Sequence, residues 1–102
     1  MNPLIAKYRT GLEALSRRFR VRRLAVFGSA ARADFDPARS DVDFLVEFED
    51  PLVPGYADRY LDFALEAERL LGREIDLVTT RSVSNPVFQR EIERDMEEIY
   101  AA

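Results

Sequence analysis

The sequence predicts an α/β (α+β) fold in which a small mixed sheet of three to four strands packs against helices. Two long stretches, residues 3–19 and 56–71, carry apolar side chains at the three- and four-residue steps of an amphipathic helix. Short β-branched and aromatic runs alternate with them, most of them bounded by glycine or proline. A chain of 102 residues has room for one core, so we expect a single domain over residues 1–102.

The first half of the chain is predicted to contain one helix and two strands. The helix spans residues 3–19, and its apolar residues are Leu4, Ile5, Tyr8, Leu12, Leu15 and Phe19. An apolar run at residues 24–27 favours a buried strand that ends at Gly28. A helical turn over residues 29–32 and the turn-rich loop "DFDPARS" then precede the second strand, "VDFLVEF".

The second half is predicted to add a helix, a strand and a closing helix. Gly72 stands where helices commonly end, and the apolar stripe of the helix before it comprises Ala57, Tyr60, Leu61, Ala64, Ala67 and Leu71. "REIDLVT" is predicted to be a strand, and "SNPVFQREIERDM" a helix with Val87, Ile92 and Met96 facing inward. The sequence leaves open whether "EEIYAA" extends that helix or forms a fourth strand.

The composition restricts the chemistry that the chain can perform. There is no cysteine and no histidine, which excludes disulfides, thiolate nucleophiles, imidazole bases and metal sites built from those ligands. The remaining carboxylates, hydroxyls and cationic groups favour hard cations such as Mg²⁺. No apolar run approaches the length of a membrane span, and the N-terminus does not resemble a signal peptide. We therefore expect a cytoplasmic protein without a membrane partner.

The charge distribution bears on the choice of partner. A formal net charge of -4 argues against nucleic acid as a direct partner. One basic segment, "RRFRVRR" at residues 17–23, contains five arginines. Such a run is more often a solvated helix end than a docking surface, and both interpretations stay open here. An exposed sheet edge also leaves homo-oligomer formation open.

Two carboxylates at the start of the second strand form the first candidate site. Asp41 and Asp43 alternate with Val42, and the period-two geometry of a strand places both on one face, about 7 Å apart at Cα. Like charges this close repel, and a bound cation would relieve the repulsion. For each residue taken alone, an ordinary turn or solvated strand position is the plainer interpretation.

A third carboxylate and a Gly-Ser pair complete the candidate set. Asp76 lies inside an apolar run, where a carboxylate is costly unless it is paired or liganded. If its strand neighbours the second strand, Asp41, Asp43 and Asp76 converge on a site for one or two Mg²⁺ ions, which suits phosphoryl or nucleotidyl transfer. Gly28 and Ser29 follow a strand at the start of a helical turn, a setting in which backbone N–H groups can bind phosphate.

Taken together, Gly28-Ser29, the Asp41-x-Asp43 strand and the later strand Asp76 resemble the signature of the DNA polymerase β-type nucleotidyltransferase superfamily. Within it, the chain is similar to the MNT (minimal nucleotidyltransferase) family, represented by the MntA-type antitoxins of HEPN/MNT toxin-antitoxin systems. The similarity runs from "RRLAVFGSAARADF" through "SDVDFLVEF" and "LLGREIDLVT" to "EIERDMEEIY". It implies the nucleotidyltransferase (polymerase β-like) fold.

The resemblance also implies a function. Members bind ATP and Mg²⁺, and the active ones transfer AMP to a tyrosine of a HEPN-domain RNase toxin, which neutralises the toxin. The catalytic positions, which hold two Mg²⁺ ions, correspond to Asp41, Asp43 and Asp76. Asp76 would also help to activate the tyrosine hydroxyl. The positions that bind the triphosphate correspond to Gly28, Ser29 and Arg32.

The phosphate turn departs from the family pattern. Members commonly read Gly-Ser-Arg-Ala-Arg-Gly, whereas this chain has Ala30 and Ala33 in place of the first arginine and the closing glycine, and its loop to Asp41 is one residue longer. We expect an Mg-dependent protein adenylyltransferase that acts on a HEPN toxin. The alternatives are a catalytically weak antitoxin that acts by binding the toxin, and a nucleotidyltransferase that modifies RNA or a small molecule.

Overall fold

The computed structural model describes residues 1–32, 35–36, 38 and 41–102. Its elements are α1 (Pro3–Arg18), β1 (Val21–Phe27), a 3₁₀ turn (Gly28–Ala31), β2 (Val42–Phe48), α2 (Tyr56–Leu71), β3 (Ile75–Thr79), a second 3₁₀ turn (Thr80–Ser82), α3 (Pro86–Asp95) and β4 (Glu97–Ala101). The predicted α/β class is therefore confirmed. Much of the predicted loop lies outside the described residues, namely Asp34, Pro37, Arg39 and Ser40. Within the described part, no helix is long and apolar enough to cross a membrane.

Four strands form one mixed sheet in the order β3-β2-β1-β4. β1 is antiparallel to β2 and to β4, whereas β2 and β3 are parallel. The segment "EEIYAA" thus supplies the fourth strand and does not extend the last helix. The parallel pairing matters for function, because it brings the beginnings of β2 and β3 to the same end of the sheet as the end of β1.

The main core lies between one face of the sheet and the helices α1 and α2. The alternation predicted for β2 is confirmed, since the side chains directed into this core are Val42, Phe44, Val46 and Phe48. Ile5 and Leu12 of α1 are fully buried against them. Complete burial of a large aliphatic or aromatic side chain stabilises the fold by about 1.5–3 kcal/mol. This face of the sheet therefore carries the packing and leaves the other face available for a site.

The buried face of α2 agrees with most of the predicted stripe, since Ala67 and Leu71 are buried and Tyr60 and Ala64 pack against the core, but it is rotated towards Phe63. Phe63 is fully buried and makes edge-to-face contacts with Phe19 and Phe48, with ring centroids 5.9 Å and 5.8 Å away. Leu61, which belongs to the predicted stripe, is 56% exposed. Residues two positions apart in a helix are rotated by about 200° around its axis, so Leu61 and Phe63 cannot face the same surface.

Helix α3 covers part of the opposite face of the sheet. The second, smaller apolar cluster there comprises Ala25, Phe27, Leu45 and Ile92, with Met96 packed against it. The prediction that Val87 faces inward is wrong, since its side chain is 57% exposed. Val87 and Ile92 are five positions apart, which corresponds to a rotation of about 140° around the helix axis. Phe88, one helical turn before Ile92, instead contacts Phe27 edge to face.

The arginines of the basic segment at residues 17–23 contact other residues of the same chain. Its ion pairs join Arg17 to Glu13, Arg20 to Asp50, Arg22 to Glu47 and Arg23 to Glu98. The guanidinium group of Arg18 lies over the ring of Phe19. These contacts favour the interpretation of a solvated, internally paired surface, in which each exposed pair contributes roughly 0–1 kcal/mol.

Candidate active site

One row of residues crosses three strands at the end of the sheet. Phe27 of β1 pairs with Asp43 of β2, and Asp43 pairs with Asp76 of β3. Neighbouring strands lie about 4.8 Å apart, and directly paired residues point to the same face. Asp43 and Asp76 therefore project side by side on the face that α3 partly covers. Asp41, immediately before β2, is exposed and stands two positions before Asp43 in the period-two alternation of the strand.

The carboxylate of Asp43 is electrostatically coupled to its neighbours. Burial is the largest cause of its raised pKa, and the charges of Asp76 and Asp41 raise it further, while Arg32 acts in the opposite direction. A raised pKa means that the ionised form is disfavoured as long as no cation is present. Such a perturbed group at a cleft is typical of functional sites.

The carboxylates at this site are oxygen ligands of the kind that Mg²⁺ prefers. Among the described residues, no group of three or more acidic side chains is close enough to form a ready-made metal site. Mg²⁺, however, is usually held by one or two carboxylates together with water and substrate phosphate oxygens. Asp43 and Asp76 on paired strands provide two such carboxylates. The arrangement therefore fits a metal that arrives with a phosphate ligand better than a metal enclosed by protein groups alone.

Gly28 brings the backbone against Asp43. Its φ of +66° lies in the left-handed region, where side chains are disfavoured. A Cβ atom at this position would collide with Oδ2 of Asp43 and lie 3.3 Å from its Cγ. Glycine is therefore required here by conformation and by space, and any larger residue would displace either the turn or the carboxylate.

The residues after Gly28 in the turn lie either in the core or beside the cleft. Ser29 is half-buried and follows Gly28 in the 3₁₀ turn. Ala30 is 1% exposed and belongs to the main core, so a longer side chain in its place would need space inside that core. Arg32 ends the turn beside the cleft. Ala33, the other departure from the family pattern, lies outside the described residues.

A cleft of about 230 Å³ opens beside Asp43. Three of the predicted site residues line it, namely Gly28, Arg32 and Asp43. Its other wall belongs to α3 and includes Phe88, Arg94 and Asp95. Nothing in the sequence marked these α3 residues, because a charged last helical turn is ordinary. Asp41, Asp76 and Ser29 are near this cleft in the chain or the sheet but are not part of its lining.

Some cavities elsewhere in the described part of the chain are larger, and two of them have volumes of about 330 Å³ and 440 Å³. Both are lined by Tyr56 and Thr79, and neither contains a predicted site residue. They offer no carboxylate pair on adjacent strands and no glycine turn. We therefore place the candidate site at the smaller cleft, which Gly28 and Asp43 line and beside which Asp76 is paired with Asp43.

Helix α2 supports the strand that carries Asp76. The hydroxyl of Tyr60 donates a hydrogen bond of 2.6 Å to the carbonyl oxygen of Leu77. Burial, followed by the nearby charges of Asp76 and Tyr56, raises the pKa of Tyr60. The hydroxyl thus stays protonated and fixes β3 next to the candidate carboxylate.

Comparison with known proteins identifies the family. The family model described as "Nucleotidyltransferase domain" matches residues 9–99. The chain belongs to the nucleotidyltransferase domain family. Among its relatives, a protein of Methanocaldococcus jannaschii, provisionally named a protein adenylyltransferase, is 35% identical over 82 residues, which cover 80% of each chain. The protein adenylyltransferase MntA of Thermococcus cleftensis is 37% identical over 73 residues, covering 72% of this chain and 70% of the relative.

Solved structures agree with this nucleotidyltransferase fold. One, provisionally described as a minimal nucleotidyltransferase, matches with a TM-score of 0.75 and 29% identity, over 91% of this chain and 90% of the other. A second belongs to a complex of a tri-AMPylated Shewanella oneidensis HEPN toxin with an MNT antitoxin; its TM-score is 0.66 at 18% identity, over 95% of this chain and 72% of the other. At that identity the likeness shows the fold alone. The resemblance to minimal nucleotidyltransferases is thereby confirmed.

Proposed function

We propose that this nucleotidyltransferase is an Mg²⁺-dependent protein adenylyltransferase that transfers AMP from ATP to a tyrosine of a cognate HEPN-domain toxin and thereby neutralises it. The observation that carries the proposal is the sheet pairing of Asp43 with Asp76, against the turn at Gly28. The relatives named as protein adenylyltransferases support the reaction. The neighbouring structure of an AMPylated HEPN toxin with its MNT antitoxin supports the choice of acceptor.

We assign the proposed binding roles according to the position of each group. Asp43 and Asp76, with Asp41 at the exposed end, hold Mg²⁺ together with oxygens of the triphosphate. Mg²⁺, when bound, neutralises charge on the leaving pyrophosphate and lowers the pKa of the attacking hydroxyl. Gly28 lets the backbone of the turn approach the phosphates closely. The phosphate oxygens also bind to the Ser29 hydroxyl and the Arg32 guanidinium.

The transfer step forms one bond and breaks one. The tyrosine oxygen bonds to the α-phosphorus of ATP while the bond from that phosphorus to the oxygen bridging it to the β-phosphate breaks. Pyrophosphate leaves with the electron pair, and the hydroxyl proton passes to a carboxylate. Asp76 is the better placed acceptor of this proton, because it is exposed on the edge strand β3, whereas Asp43 is wedged against Gly28.

A labelling experiment tests the proposal. The purified protein is incubated with Mg²⁺, ATP labelled at the α-phosphate and the HEPN-domain toxin proposed as its partner. We expect label on the HEPN protein, lost on addition of EDTA and reduced at least 100-fold in Asp41→Asn and Asp43→Asn, a loss on the order of that seen for removal of electrostatic stabilisation of a transition state. Asp62→Asn, on the exposed side of α2, is the control and should retain transfer.

The outcome also separates the alternatives. Neutralisation of the toxin without label transfer would indicate an antitoxin that acts by binding alone. Label on RNA or on a small molecule, with none on the HEPN protein, would assign a different acceptor. Either result would contradict the proposed protein adenylylation.

A further inference from the structure

Two arginines from different elements share one carboxylate at the cleft. Oδ2 of Asp95, the last residue of α3, accepts a hydrogen bond of 3.2 Å from Nη1 of Arg32 and one of 3.4 Å from Nη2 of Arg94. The Asp95 side chain is only 17% exposed, whereas those of Arg32 and Arg94 are 43% and 70% exposed. The carboxylate is thus mostly covered, and the two guanidinium groups are the more accessible part of the cluster.

The cluster keeps its charges at neutral pH. Burial acts to raise the pKa of Asp95, but hydrogen bonds and positive charge from Arg32 and Arg94 leave that pKa below its ordinary value. An ionised carboxylate between two guanidinium groups offsets their mutual repulsion. Asp95 therefore allows two cations to stand close together at the wall of the cleft.

We propose that Arg94 is a second arginine of the phosphate site, held beside Arg32 by Asp95, and that both guanidinium groups bind the triphosphate of the substrate nucleotide. The inference rests on the proposed nucleotidyl transfer. Arg32, Arg94 and Asp95 line the same cleft as Gly28 and Asp43. A guanidinium group presents a planar fork of donors that binds phosphate oxygens in pairs, and it stays protonated across the physiological range.

The charge of the cluster shows why the second arginine matters. Arg32 with Asp95 alone would be a neutral pair, and a neutral pair offers little attraction to a polyphosphate. The addition of Arg94 leaves one net positive charge on the three groups. Glu91 and Asp43 also line the cleft and carry negative charge, so an incoming triphosphate would otherwise depend on the metal ion alone for compensation.

The experiment compares Arg94 with a matched arginine on the same helix. Arg90 lies one helical turn earlier on α3, is exposed and does not belong to the cleft lining. Mg-ATP and, separately, inorganic triphosphate with Mg²⁺ are titrated calorimetrically into the unmodified protein and into Arg94→Ala, Arg90→Ala and Arg94→Lys. Thermal unfolding of each variant checks that it remains folded, which is expected because Arg94 is 70% exposed.

We expect Arg94→Ala to weaken binding of both ligands roughly tenfold or more, the effect of losing a hydrogen bond to a charged group. Arg90→Ala should bind as the unmodified protein does, and Arg94→Lys should fall between, since lysine keeps the charge without the fork. Equal affinities for Arg94→Ala and Arg90→Ala would overturn the inference.

The same titrations separate this inference from the proposed function. If the unmodified protein binds neither ligand, both are overturned. If it binds both ligands through Arg94 but no AMP reaches a HEPN protein in the labelling experiment, the phosphate site is supported and the proposed function alone is contradicted.

Discussion

At the scale of single residues, Asp43 is under the greatest constraint in the candidate site. Gly28 lies against one side of the Asp43 carboxylate, and Asp76 of the next strand is the residue paired with Asp43. Burial and the two neighbouring aspartates raise its pKa, so the ionised side chain destabilises the metal-free fold. A cation bound between Asp43 and Asp76 would reverse this effect by favouring the ionised form.

We expect Asp43→Asn to stabilise the metal-free protein at neutral pH. Because the folded-state pKa of Asp43 is raised, the stability it contributes is fully present below its unfolded-state pKa and is lost as the pH rises through the folded-state value. The unmodified protein has lost this stability near pH 7, and the variant has no such group to titrate. Urea denaturation in EDTA should show a higher free energy of unfolding for the variant near pH 7, with a smaller difference below about pH 4.

The exposed Asp62→Asn variant is the control for that comparison. A variant Asp43→Asn that is equally stable or less stable than the unmodified protein near pH 7 would contradict the assigned electrostatics. Gly28 and Asp43 could be singled out from the sequence because turns and strand periodicity are local patterns, whereas Arg32 was indicated by the resemblance to the family. Arg94 and Asp95 could not, because their position at the cleft depends on how α3 packs against Phe27 and the turn.

At the scale of the elements, local signals were sufficient for some boundaries but not for the pairing of strands. β2 and α2 have the predicted bounds, Val42–Phe48 and Tyr56–Leu71, since glycine and proline mark their ends. The strand order β3-β2-β1-β4 depends on contacts between distant segments and could not be read locally. In α2, two overlapping apolar stripes compete, and only packing against Phe19 and Phe48 selects the one that contains Phe63.

The helix α2 offers a direct test of this packing. Phe63→Ala should lower the free energy of unfolding by about 3–5 kcal/mol, because it leaves a cavity where α2 packs against Phe19 and Phe48. Leu61→Ala, two residues earlier and 56% exposed, should change it by no more than about 0.5 kcal/mol. Urea denaturation measures both values, and similar losses for the two variants would show that the buried face of α2 is misassigned.

At the scale of the whole molecule, the sheet separates stability from function. Helices α1 and α2 pack on one face and form the main core, whereas α3 covers only part of the other. The candidate site lies on this second face, at the end where β1 ends and β2 and β3 begin. Three strands, one turn and α3 must therefore assemble before Asp43, the glycine turn and the arginines line one cleft beside Asp76.

The proposed Mg-ATP site draws on residues of separate strands, and Asp76 tests it most directly because it belongs to the edge strand β3. Calorimetric titration of ATP, with Mg²⁺ and with EDTA, compares the unmodified protein with Asp76→Asn and with the control Asp62→Asn. We expect Mg²⁺-dependent binding that Asp62→Asn retains and that Asp76→Asn weakens roughly tenfold or more. Unchanged Mg²⁺-dependent ATP binding by Asp76→Asn would contradict the proposed site.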